Sequence, residues 1–319
     1  STRMTDLART AIAHLSLPFD YLCVIALGSY GRLEAHGEAS DFEWLLISDD
    51  RHVNSQEAIV AQSALTALFA NLFGRERLSV NKTFGQLCEF SDLGTQIGGL
   101  AETNRMLTYR ILTLTEGLPL SPGDGHQRTM RSLASVYARS HTAGHRMLSL
   151  ANELARYYRT VRASYKYKVD EEGKAWAVRS IKNRAYRRFA YFSSALHFVA
   201  HGPRIDYRSE PLFDLGTVTR FMSQMGVPPV DRLLRSAPET GAPDESVDLA
   251  IHLYDRVHST LASPDVRRHL DQLHPGDRFI DPAYNELRKN CADLQTALAN
   301  IVIDLTPEPR KELLEMFLL

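Results

Sequence analysis

Two pairs of residues near the start of the chain combine types and spacing suited to phosphate chemistry. Gly28 and Ser29 follow a short apolar run, and Asp41 and Glu43 begin a second one. Because alternate side chains of a strand point to the same side, the two carboxylates share one face. Adjacent carboxylates repel each other unless a cation lies between them, and oxygen ligands favour Mg²⁺ held together with substrate phosphates. The spacing therefore predicts a site for a metal-bound phosphate.

The Gly-Ser pair predicts the other half of such a site. A buried strand that ends at Gly28 and turns into a helix at Ser29 directs backbone N–H groups and the serine hydroxyl towards phosphate oxygens. Glycine at this position lets a triphosphate approach the backbone without a Cβ in the way. The plain alternative is a strand–turn–helix with an N-capping serine and solvent-facing acids.

Apolar spacing predicts the elements that would position these residues. Short continuous apolar runs over residues 21–27 and 42–47 are typical of buried strands, and one or two weaker strands are expected within 78–90. Helical spacing is found over residues 7–17 and 55–74.

Beyond residue 100 the strand patterns fade. Helical spacing continues over residues 101–117, 126–167, 172–201, 213–225, 246–262 and 282–303. Segments rich in proline and glycine separate these helices, the first at Pro119–Gly125. We therefore expect an α/β domain with a small mixed sheet and helices over residues 1–120, followed by an all-α domain over residues 121–319.

The Gly-Ser pair, eleven further residues and then Asp-x-Glu on an apolar strand resemble the signature of the DNA polymerase β superfamily of nucleotidyltransferases. Within that superfamily the chain most resembles bacterial uridylyltransferase-like families and nucleotidyltransferase families without an assigned substrate. The residues that carry this likeness are Gly28, Ser29, Tyr30, Gly31, Arg32, Glu34, Ser40 and Asp41. Less specific similarity extends over roughly residues 20–200.

The resemblance implies Mg²⁺-dependent (or Mn²⁺-dependent) transfer of a nucleoside monophosphate from an NTP, with release of pyrophosphate. Asp41 and Glu43 would bind the metals and act in catalysis, while Gly28, Ser29 and Arg32 would bind the nucleotide. The acceptor hydroxyl would belong to a protein, by likeness to the uridylyltransferases, or else to a tRNA 3′ end or a small molecule such as an aminoglycoside.

The superfamily also supplies a third carboxylate from a later strand. Glu89 is the candidate, because an acid flanked by apolar residues is unusual, and Glu76 and Asp92 compete with it.

Residues 151–190 form a basic segment, with eleven Lys and Arg against four Asp and Glu. Tyrosines and Trp176 are interleaved with the cations. The segment would contact a triphosphate or a polyanionic acceptor such as RNA, or else consists of two amphipathic helices with a solvated charged face. Arg179 and Lys182, three residues apart, are the predicted phosphate contacts.

Composition excludes several classes of protein. Lys and Arg number 37 against 38 Asp and Glu, which excludes a globally basic nucleic-acid coat. No apolar run approaches the roughly 18 residues of a membrane helix, and the first residues lack an apolar signal core, so we expect no membrane partner. The three cysteines are scattered without a CxxC pair, which indicates a reducing, cytoplasmic environment.

Two alternative functions remain open. Arg139 and His145 match the loose Arg-x-His motif of helical ribonucleases from toxin–antitoxin modules. A catalytically silent nucleotide-binding sensor is the other alternative. The histidine pairs His141/His145 and His197/His201 have helical spacing but no evident third ligand, so we do not expect them to bind a metal.

Overall fold

The computed structural model describes residues 2–37, 40–48, 56–78, 84–138, 147–204 and 213–318. The described chain is mostly helical and contains a small mixed sheet of four strands. It divides into two compact units, Ser1–Met147 with Pro203–Pro228, and Leu148–Gly202 with Pro229–Leu319. The first unit thus extends beyond the expected boundary at residue 120 and includes a later segment of the chain. Among the described residues, no helix has both the length and the apolar character needed to cross a membrane.

The first unit contains all four strands. Its elements are α1 (Thr2–Ala13), β1 (Leu22–Leu27), α2 (Gly28–Gly31), β2 (Glu43–Ser48), α3 (Gln56–Phe73), a 3₁₀ turn (Arg75–Arg77), β3 (Leu87–Glu89), α4 (Phe90–Gly94), α5 (Asn104–Glu116), β4 (Leu118–Pro119), α6 (Gly125–Ala138) and, later in the chain, α10 (Leu215–Met225).

The strands are ordered β3-β2-β1-β4. β1 pairs antiparallel with β2 and with β4, and Leu27 lies opposite Glu43. β2 and β3 run parallel, so the chain between them must cross over, and α3 lies on that crossover. All six residues of β1 are buried, which explains its uninterrupted apolar sequence: both faces of the strand are covered.

An aromatic cluster on one face of the sheet fixes the positions of the motif residues. The ring of Phe42 stacks on Phe73 of α3, with centroids 3.8 Å apart, and Tyr30 packs edge-on against both rings at 5.1 and 5.2 Å. Trp44 packs against Phe69 in the same core. Tyr30 follows Ser29, and Phe42 and Trp44 flank Glu43, so burial of these rings holds both halves of the motif in place.

The second unit has only helices among its described residues. They are α7 (Leu148–Asp170), α8 (Trp176–Arg184), α9 (Tyr186–His201), α11 (Pro229–Thr240), α12 (Asp244–Ala262), α13 (Pro264–Gln272), a 3₁₀ turn (Pro275–Phe279), α14 (Pro282–Asp304), α15 (Pro307–Leu313) and a π-helical turn (Leu314–Leu318). The expectation of a small mixed sheet with helices, followed by a helical region, is confirmed at this coarse level. The predicted helix over 172–201 is interrupted, since Ala185 separates α8 from α9.

Candidate functional site

The turn between β1 and α2 is tight. Gly28 is buried with φ +61°, a conformation that favours glycine, and its carbonyl accepts a hydrogen bond of 2.9 Å from the Arg32 N–H. The helix expected after Ser29 is therefore a single turn of four residues, Gly28–Gly31. So short a helix sums few peptide dipoles, and a phosphate here would depend on the serine hydroxyl and the local backbone rather than on a helix dipole. Ser29 is half-buried, between Gly28 and the buried Tyr30.

The carboxylate of Glu43 lies directly against this turn. A Cβ on Gly28 would come within 2.0 Å of Glu43 Oε2. The antiparallel register explains the contact, because Glu43 is opposite Leu27, the residue that precedes the glycine. The structure thus brings Gly28, Ser29 and Glu43 together: the φ of +61° favours glycine at position 28, and the Glu43 carboxylate takes the space that a side chain there would need.

Asp41 lies at the exposed start of the same strand. The intervening Phe42 and the following Trp44 are fully buried in the aromatic core, while Asp41 is exposed and Glu43 half-buried. Because side chains alternate along a strand, the two carboxylates lie on the side opposite to the core. This burial pattern agrees with the prediction that Asp41 and Glu43 share one face of the strand.

Arg32 forms ion pairs that hold the turn against α5. Its Nε donates to Glu34 at 2.7 Å and its Nη1 donates to Glu116 at 2.6 Å, with all three side chains at most 14% exposed. Gly31 permits the same close approach, since a Cβ there would lie 1.9 Å from the Glu116 carbonyl oxygen. The guanidinium therefore orients the turn through two carboxylates, and its predicted contact with a nucleotide stays a prediction.

Glu89 is not brought to the other two acids. The parallel register places it beside Ser48, five residues along β2 from Glu43, or about 16 Å away. Ser48 also belongs to the alternate set that faces the aromatic core, on the other side of the sheet from Glu43. Glu89 instead accepts a hydrogen bond of 3.3 Å from the Ser91 hydroxyl.

The described residues that lie beside β2 near Glu43 include no third carboxylate. Leu78 bridges to Phe42, the Gly85 N–H donates to the Trp44 carbonyl at 2.7 Å, and Leu87 pairs with Leu46, so these described residues lie beside β2. No Asp or Glu occurs from residue 78 to residue 87. Of the competing acids, Glu76 is exposed in the 3₁₀ turn and Asp92 lies on α4. In the part of the chain that the structure describes, no group of three or more His, Cys, Asp or Glu converges to hold a metal.

Sequence reasoning missed Arg77, which bonds to the backbone next to Asp41. Its Nη2 donates to the Tyr30 hydroxyl at 2.9 Å and to the Gly37 carbonyl, and its Nε donates to the Ser40 carbonyl at 3.3 Å. The Phe42 N–H in turn donates to the Arg77 carbonyl at 2.9 Å. Arg77 therefore ties Tyr30 to the backbone on either side of Asp41. No motif points to it, because each of these bonds is made to backbone or to a core hydroxyl.

The other predicted residues lie in the second unit or outside the described ranges. Arg179 and Lys182 are half-buried on α8, and their contact with a nucleotide stays a prediction. His197 is buried with Nδ1 3.0 Å from the Ser236 hydroxyl, and His201 Nε2 lies 3.2 Å from the Arg235 carbonyl. Arg139, His141 and His145 fall outside the described residues.

Comparisons with protein-family models, with curated proteins and with solved structures gave no match to this chain.

Proposed function

We propose that the first unit is a nucleotidyltransferase of the DNA polymerase β type, which moves a nucleoside monophosphate from an NTP to an acceptor hydroxyl. The observation that carries the proposal is the packing of Glu43 against the Gly28-Ser29 turn, with Asp41 on the same face of β2. A phosphate-binding turn beside two carboxylates is the minimum that this chemistry needs.

The reaction forms a bond between the acceptor oxygen and the α-phosphorus. The α–β phosphoanhydride bond breaks, pyrophosphate leaves, and the acceptor proton passes to water. Ser29, half-buried next to Gly28, would donate its hydroxyl to the triphosphate, while the missing side chain at Gly28 lets the Glu43 carboxylate approach the turn.

The donor set fits Mg²⁺, or Mn²⁺, held in part by substrate. Asp41 and Glu43 supply hard oxygen ligands, and Mg²⁺ commonly combines one or two carboxylates with substrate phosphates and water. When bound, the ion would offset the triphosphate charge and orient the α-phosphate for in-line attack. The acceptor is proposed as a protein hydroxyl, with a tRNA end or a small molecule as the alternatives.

The experiment is label transfer from each of four α-³²P NTPs with Mg²⁺ to protein, RNA and small-molecule fractions of a lysate. Label in one fraction, lost with Asp41→Asn and kept with the matched control Asp92→Asn, would support the transferase and identify donor and acceptor class. Label that survives Asp41→Asn would refute it.

A nucleotide sensor is the second candidate, favoured by the lack of any Asp or Glu between residues 78 and 87. A sensor would bind an NTP with Mg²⁺ in calorimetry and lose that binding with Glu43→Gln, yet transfer no label to any fraction. The ribonuclease alternative predicts the reverse pattern: RNA cleavage that persists in EDTA and depends on His145.

A further inference from the structure

A groove in the second unit carries a second candidate ligand site. It has a volume of about 300 Å³ and lies between α7 and the π-helical turn Leu314–Leu318. Four polar residues of α7 line one wall: Asn152, Arg156, Arg159 and Thr160. Their spacing of four, three and one residues places them on one helix face. The facing wall consists of Glu315, Met316 and Phe317.

The wall opposite α7 is held in place by aromatic packing. Tyr191 donates its hydroxyl to the Phe317 carbonyl at 3.1 Å, and its ring stacks on Tyr158 of α7 with centroids 4.2 Å apart. The Phe317 ring packs edge-on against Phe198 at 5.6 Å. The groove is therefore formed before any ligand arrives, which lowers the entropic cost of binding.

The α7 wall carries two cations. Arg156 and Arg159 line the groove, and none of the residues that line it from α7 is an Asp or Glu. Arg159 is exposed, and none of the carboxylates in the described ranges forms an ion pair with it. Two guanidinium groups one helical turn apart, with an amide and a hydroxyl beside them, supply the donors that a phosphate requires.

Glu315 limits which anion fits. It is exposed on the facing wall, with Oε1 4.0 Å from Lys311 Nζ, and its carboxylate would repel a second phosphate but would accept hydrogen bonds from hydroxyl groups. Two tyrosines of α7 are engaged within the protein, since Tyr158 stacks on Tyr191 and Tyr165 donates to the Trp176 carbonyl, and no aromatic residue of α7 lines the groove. These contacts favour a small ligand over a polynucleotide.

We propose that this groove binds a small organic phosphate that carries hydroxyl groups, a sugar phosphate or nucleoside monophosphate, with the phosphate on Arg156 and Arg159 and a hydroxyl on Glu315. The site lies wholly within the second unit, and the proposal does not depend on the function proposed for the first.

Calorimetric titration with ribose 5-phosphate in EDTA tests the proposal, because any site that needs Mg²⁺ is then silent. One bound equivalent is expected. Arg159→Gln should weaken binding roughly tenfold to hundredfold, as loss of a charge-assisted hydrogen bond does. The matched control Arg235→Gln removes an exposed arginine of the same unit outside the groove and should leave binding unchanged.

Two further variants distinguish this groove from a nonspecific anion-binding surface and from the site of the first unit. Glu315→Gln should weaken ribose 5-phosphate but not inorganic phosphate, because only the sugar hydroxyls need the carboxylate. Asp41→Asn, in the first unit, should have no effect. The proposal is overturned by absence of binding at millimolar ligand, by equal weakening in Arg159→Gln and Arg235→Gln, or by loss of binding in Asp41→Asn. Circular dichroism melts establish that each variant is folded.

Discussion

Substitution of Gly28 or Gly31 by alanine should have opposite effects on function and stability. A Cβ on Gly28 would meet Glu43 Oε2 at 2.0 Å, the end of a flexible side chain that can move away. A Cβ on Gly31 would meet the Glu116 and Ala26 carbonyl oxygens at 1.9 and 2.9 Å, and these belong to backbone that cannot yield. Gly28→Ala should therefore affect function more than stability, and Gly31→Ala the reverse.

The magnitudes follow from these contacts. For Gly28→Ala the φ of +61° adds about 1–2 kcal/mol of strain, and little more, because Glu43 can rotate. Displacing its carboxylate by about 1 Å should lower activity roughly 100-fold, as misplacement of that size does in other active sites. Gly31→Ala should cost about 3 kcal/mol or more, the range of severe overpacking.

Urea unfolding measures the stability of both variants, and Mg²⁺-dependent NTP binding and pyrophosphate release measure their function. The double variant Gly28→Ala with Glu43→Asp supplies a control, since a carboxylate one methylene shorter withdraws from the new methyl group and should recover part of the NTP binding. If Gly28→Ala keeps full NTP binding and full activity, or unfolds as readily as Gly31→Ala, the close contact between Glu43 and the turn has no functional meaning.

Three further outcomes are expected. Glu89→Gln should keep wild-type pyrophosphate release, because the strand register holds this acid about 16 Å from Glu43; a large loss would show that the register is wrong. Arg32→Met leaves two nearly buried carboxylates without their cation and should cost about 3–5 kcal/mol in urea unfolding, against less than about 1 kcal/mol for the exposed Arg268→Met. Burial raises the pKa of Cys23 from 9.0 to about 12. Below pH 9 both states hold this proton; above it the unfolded chain releases it first, so stability should fall from pH 9 to 12, and Cys23→Ala should flatten that decline in alkaline melts.

The strands of the candidate site could be predicted because burial of a strand on both faces leaves a continuous apolar run in the sequence itself. Covering both faces of β1 and of most of β2 requires uninterrupted apolar residues, and the predicted runs 21–27 and 42–47 match the observed strands to within one residue. The polar residues at the ends of those runs could then be placed by alternation alone.

The remainder of the site depends on distances along the chain that no local pattern encodes. The mismatch at Glu89 comes from the parallel register, which is set by how the α3 crossover returns the chain to β2. The single turn of α2 depends on the approach of Glu116 to Gly31, between residues 85 positions apart. The groove on α7 requires a wall more than 150 residues later in the sequence.

A transferase and a nucleotide sensor differ in how rigidly they must hold the two carboxylates, Asp41 and Glu43. Arg77, through Tyr30 and the carbonyls of Gly37 and Ser40, fixes the backbone that carries Asp41, while burial of Phe42 and Trp44 in the aromatic core fixes the backbone of Glu43. Such fixed positions favour catalysis, since a site that only binds nucleotide tolerates small displacements that a reacting site does not. Arg77→Lys keeps the charge but loses the planar array of donors, so it should reduce transfer far more than NTP binding if the unit is an enzyme. Equal, modest losses of both would identify the sensor.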